Sequence, residues 1–239
     1  MRRRHITAVA IVLMGAIVWL MMSRPDMTSV HTSEEVSASA PEIEPDVHHS
    51  DAASNALTAL DTLQVKGKAP KTGYARTQFG NGWASSGGCD TRNRILQRDL
   101  TSIQNPDGCI VLRGVLDDPY TGKQIIFARG VNTSGAVQID HAVALAAAWV
   151  TGAQQLTVDE RRAMANDPLE LLAVDGVANM QKSDGDAATW LPPNKAFRCQ
   201  YVARQIAVKV KYRLYVTAPE KKAMQHVLAT CPQQMLPGS

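Results

Sequence analysis

The charges of this chain fall into blocks, and the blocks decide where a core can form. Arg2, Arg3 and Arg4 open the sequence, and Ile6–Met22 follows as 17 uncharged, mostly apolar residues. Between Asp26 and Asp61 there are eight acidic residues and neither Lys nor Arg. Residues 62–239 carry 21 Lys and Arg against 14 Asp and Glu, a net charge of +7 inside an overall +3. Basic residues followed by an apolar run have the pattern of a signal peptide or signal anchor. The run is at the short end of the roughly 17–25 residues that span a bilayer. No small-x-small cleavage site follows it closely; Ala38-Ser39-Ala40 lies far downstream. The expectation is an N-terminal signal anchor over residues 1–23, with secretion after cleavage as the alternative. The arginines stay in the cytoplasm and everything beyond is extracytoplasmic. Residues 24–73 hold few large apolar side chains and read as an acidic flexible linker, in which Ala53–Val65 can form a short helix. The folded domain is expected over residues 74–232 and a C-terminal tail over 233–239.

Cys89, Cys109, Cys199 and Cys231 are the four cysteines. An even number in an exported domain points to two disulfides. Three pairings exist; proximity along the chain favours Cys89–Cys109 and Cys199–Cys231. The spacings do not match the paired short spacers of a zinc ribbon. A basic domain suits a polyanionic partner such as nucleic acid. No protein partner can be inferred.

Turn chemistry and periodicity sketch a mixed α+β domain. Asp90–Leu100 reads as a helix. Two β-rich runs, Cys109–Leu116 and Lys123–Arg129, flank the turn-forming Asp117–Gly122 and read as a hairpin. Val137–Asp140 is a third strand and Leu169–Val174 a fourth. Helices are expected over 142–149, 158–165, 177–185, 201–212 and 220–229. Arg198, Arg204, Lys209 and Lys211 present either a nucleic-acid face or a solvated helix face. Trp149 and Trp190 read as core or lid anchors.

His141 is the one histidine between His49 and His226, and it follows Asp140 at the end of the third strand. An isolated imidazole excludes a multi-histidine zinc site but suits a general base. Hydrolysis of a phosphodiester needs an activated water and a cation against the scissile phosphate. A carboxylate and an amide oxygen are hard ligands suited to magnesium. Asp140, His141 and Asn179 supply these groups. Successive strand residues face opposite ways, so Asp140 and His141 converge only if the strand ends or bends between them.

Asp140-His141, a second strand with its turn, and Asn179-x-x-Lys182 on a helix resemble the ββα-metal, or His-Me finger, of HNH endonucleases. Further segments resemble the exported actinobacterial type of this family, related to the C-terminal domain of the GmrSD restriction enzymes. They are Cys89-Asp90-Thr91-Arg92-Asn93, Asp118-Pro119-Tyr120-Thr121-Gly122, Ile139-Asp140-His141, Asn166-Asp167-Pro168-Leu169, Ala173-Val174-Asp175-Gly176 and Trp190-Leu191-Pro192-Pro193. The resemblance implies a His-Me finger core with additional helices and a β-hairpin. It implies His141 as general base, Asp140 and Asn179 as ligands of a divalent metal, Mg2+ or Mn2+, and Lys182 facing the phosphates. Arg92 reads as a second phosphate contact or as a structural partner of Asp90 or Asp99. The middle Asn of the HNH signature lies nine residues before the last, and here that position is Glu170. An ionised Glu only accepts hydrogen bonds where Asn also donates. Glu170 therefore supports the loop differently, approaches the metal, or weakens the site. The functional expectation is a metal-dependent endonuclease hydrolysing phosphodiester bonds at the cell exterior. The alternative is a degenerate, non-catalytic nucleic-acid-binding module. A cell-wall hydrolase lacks a matching pair of catalytic carboxylates.

Overall fold

The computed structural model describes residues 54–238. The apolar segment 6–22, the linker to residue 53 and Ser239 lie outside the described residues. Among the described residues, no helix is long and apolar enough to cross a membrane.

The elements run α1 (Ala56–Thr62), β1 (Ser85–Ser86), β2 (Cys89–Asp90), α2 (Thr91–Asp99), β3 (Leu100–Gln104), β4 (Arg113–Asp117) and β5 (Gln124–Ala128). They continue β6 (Val137–His141), α3 (Leu145–Val150), α4 (Val158–Ala165), β7 (Leu171–Asp175), α5 (Gly176–Lys182), α6 (Arg198–Lys211) and α7 (Ala218–Leu228). The fold is α+β, as expected. Three small antiparallel sheets form: β1-β2, β3-β4-β5 and β6-β7.

Local chemistry sets the element ends. Asp90 caps α2 by accepting the Asn93 N–H, and Thr157 and Thr217 each form a capping box with Glu160 and Glu220. The expected hairpin is present as β4 and β5, and a third strand, β3, joins it. The helix expected through Leu100 ends at Asp99, and the chain turns at once into β3. That strand was illegible because only Leu100 and Ile103 in Leu100–Gln104 are apolar, and its pairing with β4 is irregular.

The folded body begins earlier than the boundary expected near Tyr74. α1 lies in the stretch read as flexible linker, yet Ala56 and Leu60 are fully buried, and the helix packs on α6 and α7. Burying one leucine side chain is worth roughly 1.5–3 kcal/mol, so this turn of apolar residues outweighs the acidic surroundings. The tail is tied down as well. Leu236 N–H donates to Ser54 O and Ala56 N–H to Gln234 O.

The basic residues of α6 are spent on structure. Lys209 is buried against Glu220 at 3.1 Å, Lys211 pairs with Asp167 at 2.8 Å, and Arg204 donates to the Leu169 carbonyl at 2.7 Å. Arg198 donates to the Pro192 carbonyl. Lys209 lies in the interior, whereas Lys211 stays exposed while pairing with Asp167.

Both disulfides pair as proximity along the chain favoured: Cys89 with Cys109 and Cys199 with Cys231. The second joins the start of α6 to the residues after α7 across a separation of 32 residues. Closing a loop of that size removes entropy from the unfolded chain worth about 3–4 kcal/mol. Replacing both Cys199 and Cys231 by serine should lower the unfolding free energy by about that amount in denaturant titration. An unchanged midpoint would contradict this.

Candidate active site

The site is built on β6, β7 and α5. β6 and β7 pair antiparallel, with Asp140 opposite Leu172 and His141 opposite Leu171. The chain between them carries α3 and α4. α5 follows β7 directly, with the Asp175 side chain capping it through the Ala178 N–H. Gly176 is required at this corner, because a Cβ there would sit 2.0 Å from the Gly135 carbonyl oxygen. Asp118 braces the same corner. One of its oxygens accepts from the Asp175 N–H at 2.8 Å, and the other closes its own turn through the Thr121 N–H and hydroxyl.

Asp140 is buried and both of its oxygens are engaged. Oδ2 accepts from the Tyr120 hydroxyl at 2.5 Å, and Oδ1 accepts from Lys182 Nζ at 3.0 Å. Lys182 Nζ also donates to the His141 carbonyl at 2.8 Å. Its side chain is fully buried, so the ammonium faces into the protein and not toward a phosphate in the cavity. Tyr120 is held well above the usual phenol range by burial first and by the Asp140 charge second, which keeps it a donor. The Asp118–Gly122 motif thus reaches the site through Tyr120, a contribution its turn chemistry did not announce.

His141 ends β6 with its ring stacked on Trp83, centroids 5.8 Å apart and planes 8° from parallel. Its Nε2 lies 3.0 Å from the Ala165 carbonyl. A carbonyl only accepts, so Nε2 carries the proton and Nδ1 holds the lone pair. Burial lowers the imidazole pKa to about 3; the Ala165 bond opposes the shift, and the charges of Arg76 and Lys182 add to it. Among the described residues the buried, unpartnered side-chain atoms are Glu170 Oε1 and Gln205 Oε1. Nδ1 is not one of them and has no hydrogen bond, and the larger of the two cavities that His141 lines adjoins Asp140 and Asn179.

That cavity, about 230 Å3, is lined by Tyr74, Arg76, Asp140, His141, Asn179 and Asp184. The structure therefore brings Asp140, His141 and Asn179 to one space. Lys182 and Arg92 are not among its lining residues; Arg92 donates to the Val137 carbonyl at 3.3 Å and so braces the start of β6. A second hollow of about 140 Å3, also lined by His141, lies between Arg76, Phe79 and Trp83. Arg76, Phe79 and Trp83 were not singled out from sequence. They come from the 3-10 turn Arg76–Phe79 and the glycine-rich loop after it, far from His141 along the chain.

Glu170 holds the loop that follows His141. Its Oε2 accepts from the Val143 N–H at 3.2 Å, and its carbonyl accepts from the Ala142 N–H at 2.8 Å. Gln205 Nε2 holds the Ala142 carbonyl from the other side at 2.9 Å. Burial raises the Glu170 pKa well above the usual carboxylate range. A neutral carboxyl both donates and accepts, as an amide does. Glu170 holds the loop by accepting at Oε2, its Oε1 has no partner among the described residues, and it lines neither cavity.

A divalent cation would find an uncommitted amide oxygen beside Asp140 and His141 in the cavity. Asn179 Nδ2 donates to Gln138 Oε1 at 2.8 Å, which fixes the amide and leaves Oδ1 without a hydrogen bond among the described residues. Asp140 adds only the second lone pairs of oxygens already bound. No group of three or more His, Cys, Asp or Glu side chains converges among the described residues. This donor set fits a largely hydrated, oxygen-ligated ion of the magnesium or manganese type and does not fit a closed zinc site.

The burial of His141 has a consequence for stability. Its folded pKa of about 3 lies below the unfolded value near 6.5. As pH falls below about 6.5 the unfolded chain takes up a proton that the folded chain refuses, so stability falls toward pH 3. The slope is at most about 1.4 kcal/mol per pH unit for one group. Glu170 acts in the opposite sense, costing stability as pH rises above the unfolded carboxylate range. Denaturant unfolding of wild type and His141→Asn at pH 7 and pH 5 should show a smaller pH effect in the variant. Equal pH dependence would contradict the buried, neutral imidazole.

Two antiparallel strands joined through α3 and α4 and followed by α5, with a locked histidine at the end of the first strand, form a ββα arrangement. The family described as GmrSD restriction endonucleases, C-terminal domain, matches residues 90–227. A protein of Arthroderma benhamiae described as an uncharacterized secreted protein is 36% identical over 181 residues, covering 75% of this chain and 86% of that protein. No solved structure matches the chain. The chain belongs to the family of GmrSD restriction endonuclease C-terminal domains, an HNH-type nuclease family. The match begins at Asp90, so Arg76 and Trp83 lie outside it.

Proposed function

We propose that this chain is an exported, metal-dependent endonuclease that hydrolyses phosphodiester bonds of nucleic acid, with DNA ahead of RNA. The observation that carries the reading is the state of His141: Nε2 fixed on the Ala165 carbonyl, Nδ1 without a hydrogen bond, and the residue lining the cavity that Asn179 also lines.

His141 Nδ1 accepts a proton from water as the water oxygen attacks phosphorus. The bond from phosphorus to the 3′ oxygen breaks, and that oxygen takes a proton from solvent. The products are a 5′-phosphate and a 3′-hydroxyl. A buried imidazole with a pKa of about 3 is a weak base in the free protein. An incoming phosphodiester anion favours the imidazolium and strengthens the base when substrate is present. Lys182, bonded to Asp140 and to the His141 carbonyl, keeps the strand end rigid. Asn179 through Oδ1, with Asp140 beside it, would hold a Mg2+ or Mn2+ ion, which neutralises charge on the phosphate and the leaving oxygen.

Export is supported by the two disulfides and by the secreted relative. Anchoring through residues 6–22 rests on the sequence pattern alone, and recovering the N-terminal peptide from membranes or from medium tests it. End-labelled DNA and RNA incubated with added magnesium or manganese should be cut, and a chelator should stop the cutting. Intact substrates under every metal would sink the reading. A non-catalytic nucleic-acid-binding module is the second reading, favoured by the engagement of both Asp140 oxygens; binding without cutting is its signature.

A further inference from the structure

The charges around the cavity do not cancel. Each carboxylate that lines it has a lysine of its own. Asp140 is paired with Lys182 at 3.0 Å, and Asp184 with Lys71 at 2.8 Å. Arg76 lines the same cavity and also the smaller hollow at His141, and its guanidinium has no ion pair or hydrogen bond among the described residues. It is exposed, at the start of the 3-10 turn, and close enough to His141 for its charge to disfavour the imidazolium. The cavity thus carries one uncompensated positive charge next to His141, on a group whose planar donors match phosphate oxygens.

We propose that Arg76 binds the scissile phosphate and sets it beside His141 Nδ1. The guanidinium bonds the non-bridging oxygens and no covalent step involves it. The inference rests on the nuclease reading of this cavity, and it assigns the substrate contact to a residue upstream of the family match. It also accounts for the burial of Lys182: the lysine holds the frame, and the phosphate contact comes from Arg76.

The test uses the full chain in a His141→Ala background, where substrate is bound without turnover. Affinity for an end-labelled DNA duplex is measured over a salt series, with and without Arg76→Ala. A lost phosphate contact lowers the slope of log K against log salt by about 0.9. Arg113→Ala, which removes the same charge from an exposed position on β4 away from both cavities, is the control. In the active chain, Arg76→Ala should lower kcat/KM about 100-fold, the usual cost of losing one transition-state donor, while Arg113→Ala should not. Arg76→Lys should restore part of the binding and less of the rate. A slope and rate unchanged by Arg76→Ala, or lowered equally by Arg113→Ala, overturn the proposal. A slope lowered only by Arg76→Ala in a chain that cuts no substrate upholds the phosphate contact and removes the nuclease reading. Absence of any DNA binding removes both.

Discussion

Replacing His141 by alanine is expected to lower the rate of phosphodiester cleavage by about 10²–10⁴, the usual contribution of a positioned general base. Nucleic-acid affinity should change little, because the imidazole is neutral in the free protein and contributes no charge to binding. The two readouts together separate a base from a contact residue. The argument depends on the tautomer. Ala165 fixes the proton on Nε2, and Trp83 stacks on the ring, so Nδ1 carries the lone pair and is the nitrogen free to take a proton. His141→Gln keeps a hydrogen-bonding side chain without a basic nitrogen and should be about as inactive as alanine. Activity in either variant comparable to wild type would place the proton acceptor elsewhere.

Lys182→Met is expected to cost stability more than any surface change, about 3–5 kcal/mol, because it leaves Asp140 buried without its counter-charge. Asp140→Asn added to Lys182→Met removes the orphaned charge and should recover a large part of that loss. A double-mutant cycle by denaturant unfolding reads the coupling. Cleavage should fall as well, because the ammonium also holds the His141 carbonyl at 2.8 Å. The salt dependence of DNA binding should stay as it is in wild type. A Lys182→Met protein of normal stability with a reduced salt slope would instead return Lys182 to the phosphate.

The parts of this site that sequence made legible are those whose partners are local. Asp140-His141 at a strand end and Asn179 on the following helix meet where spacing and family resemblance led one to expect. Lys182 lies one turn beyond Asn179, but whether an i+3 side chain faces the cavity or the interior is decided by what packs on the helix. Here Asp140, fixed by Tyr120, draws the ammonium inward. Glu170 looked like a defect from sequence; burial pushes its pKa up and its Oε2 holds the Val143 N–H, neither of which a sequence pattern announces. Arg76 and Trp83 were invisible because their link to His141 is purely tertiary, through a short turn and a glycine-rich loop. The short helix expected within Ala53–Val65 is α1 (Ala56–Thr62), but the acidic composition of residues 24–73 hid that it belongs to the folded body. Its four apolar positions Ala56, Leu57, Ala59 and Leu60 matter only once α6 and α7 are there to cover them.

The nuclease reading of His141 is tested most directly on supercoiled plasmid. The full chain with magnesium or manganese should convert it to nicked circles that DNA ligase reseals, as 5′-phosphate and 3′-hydroxyl ends require, and the His141→Ala chain should leave it supercoiled. Wild type and variant equally inert across the metal series while both bind the plasmid would contradict the account and establish a binding module instead.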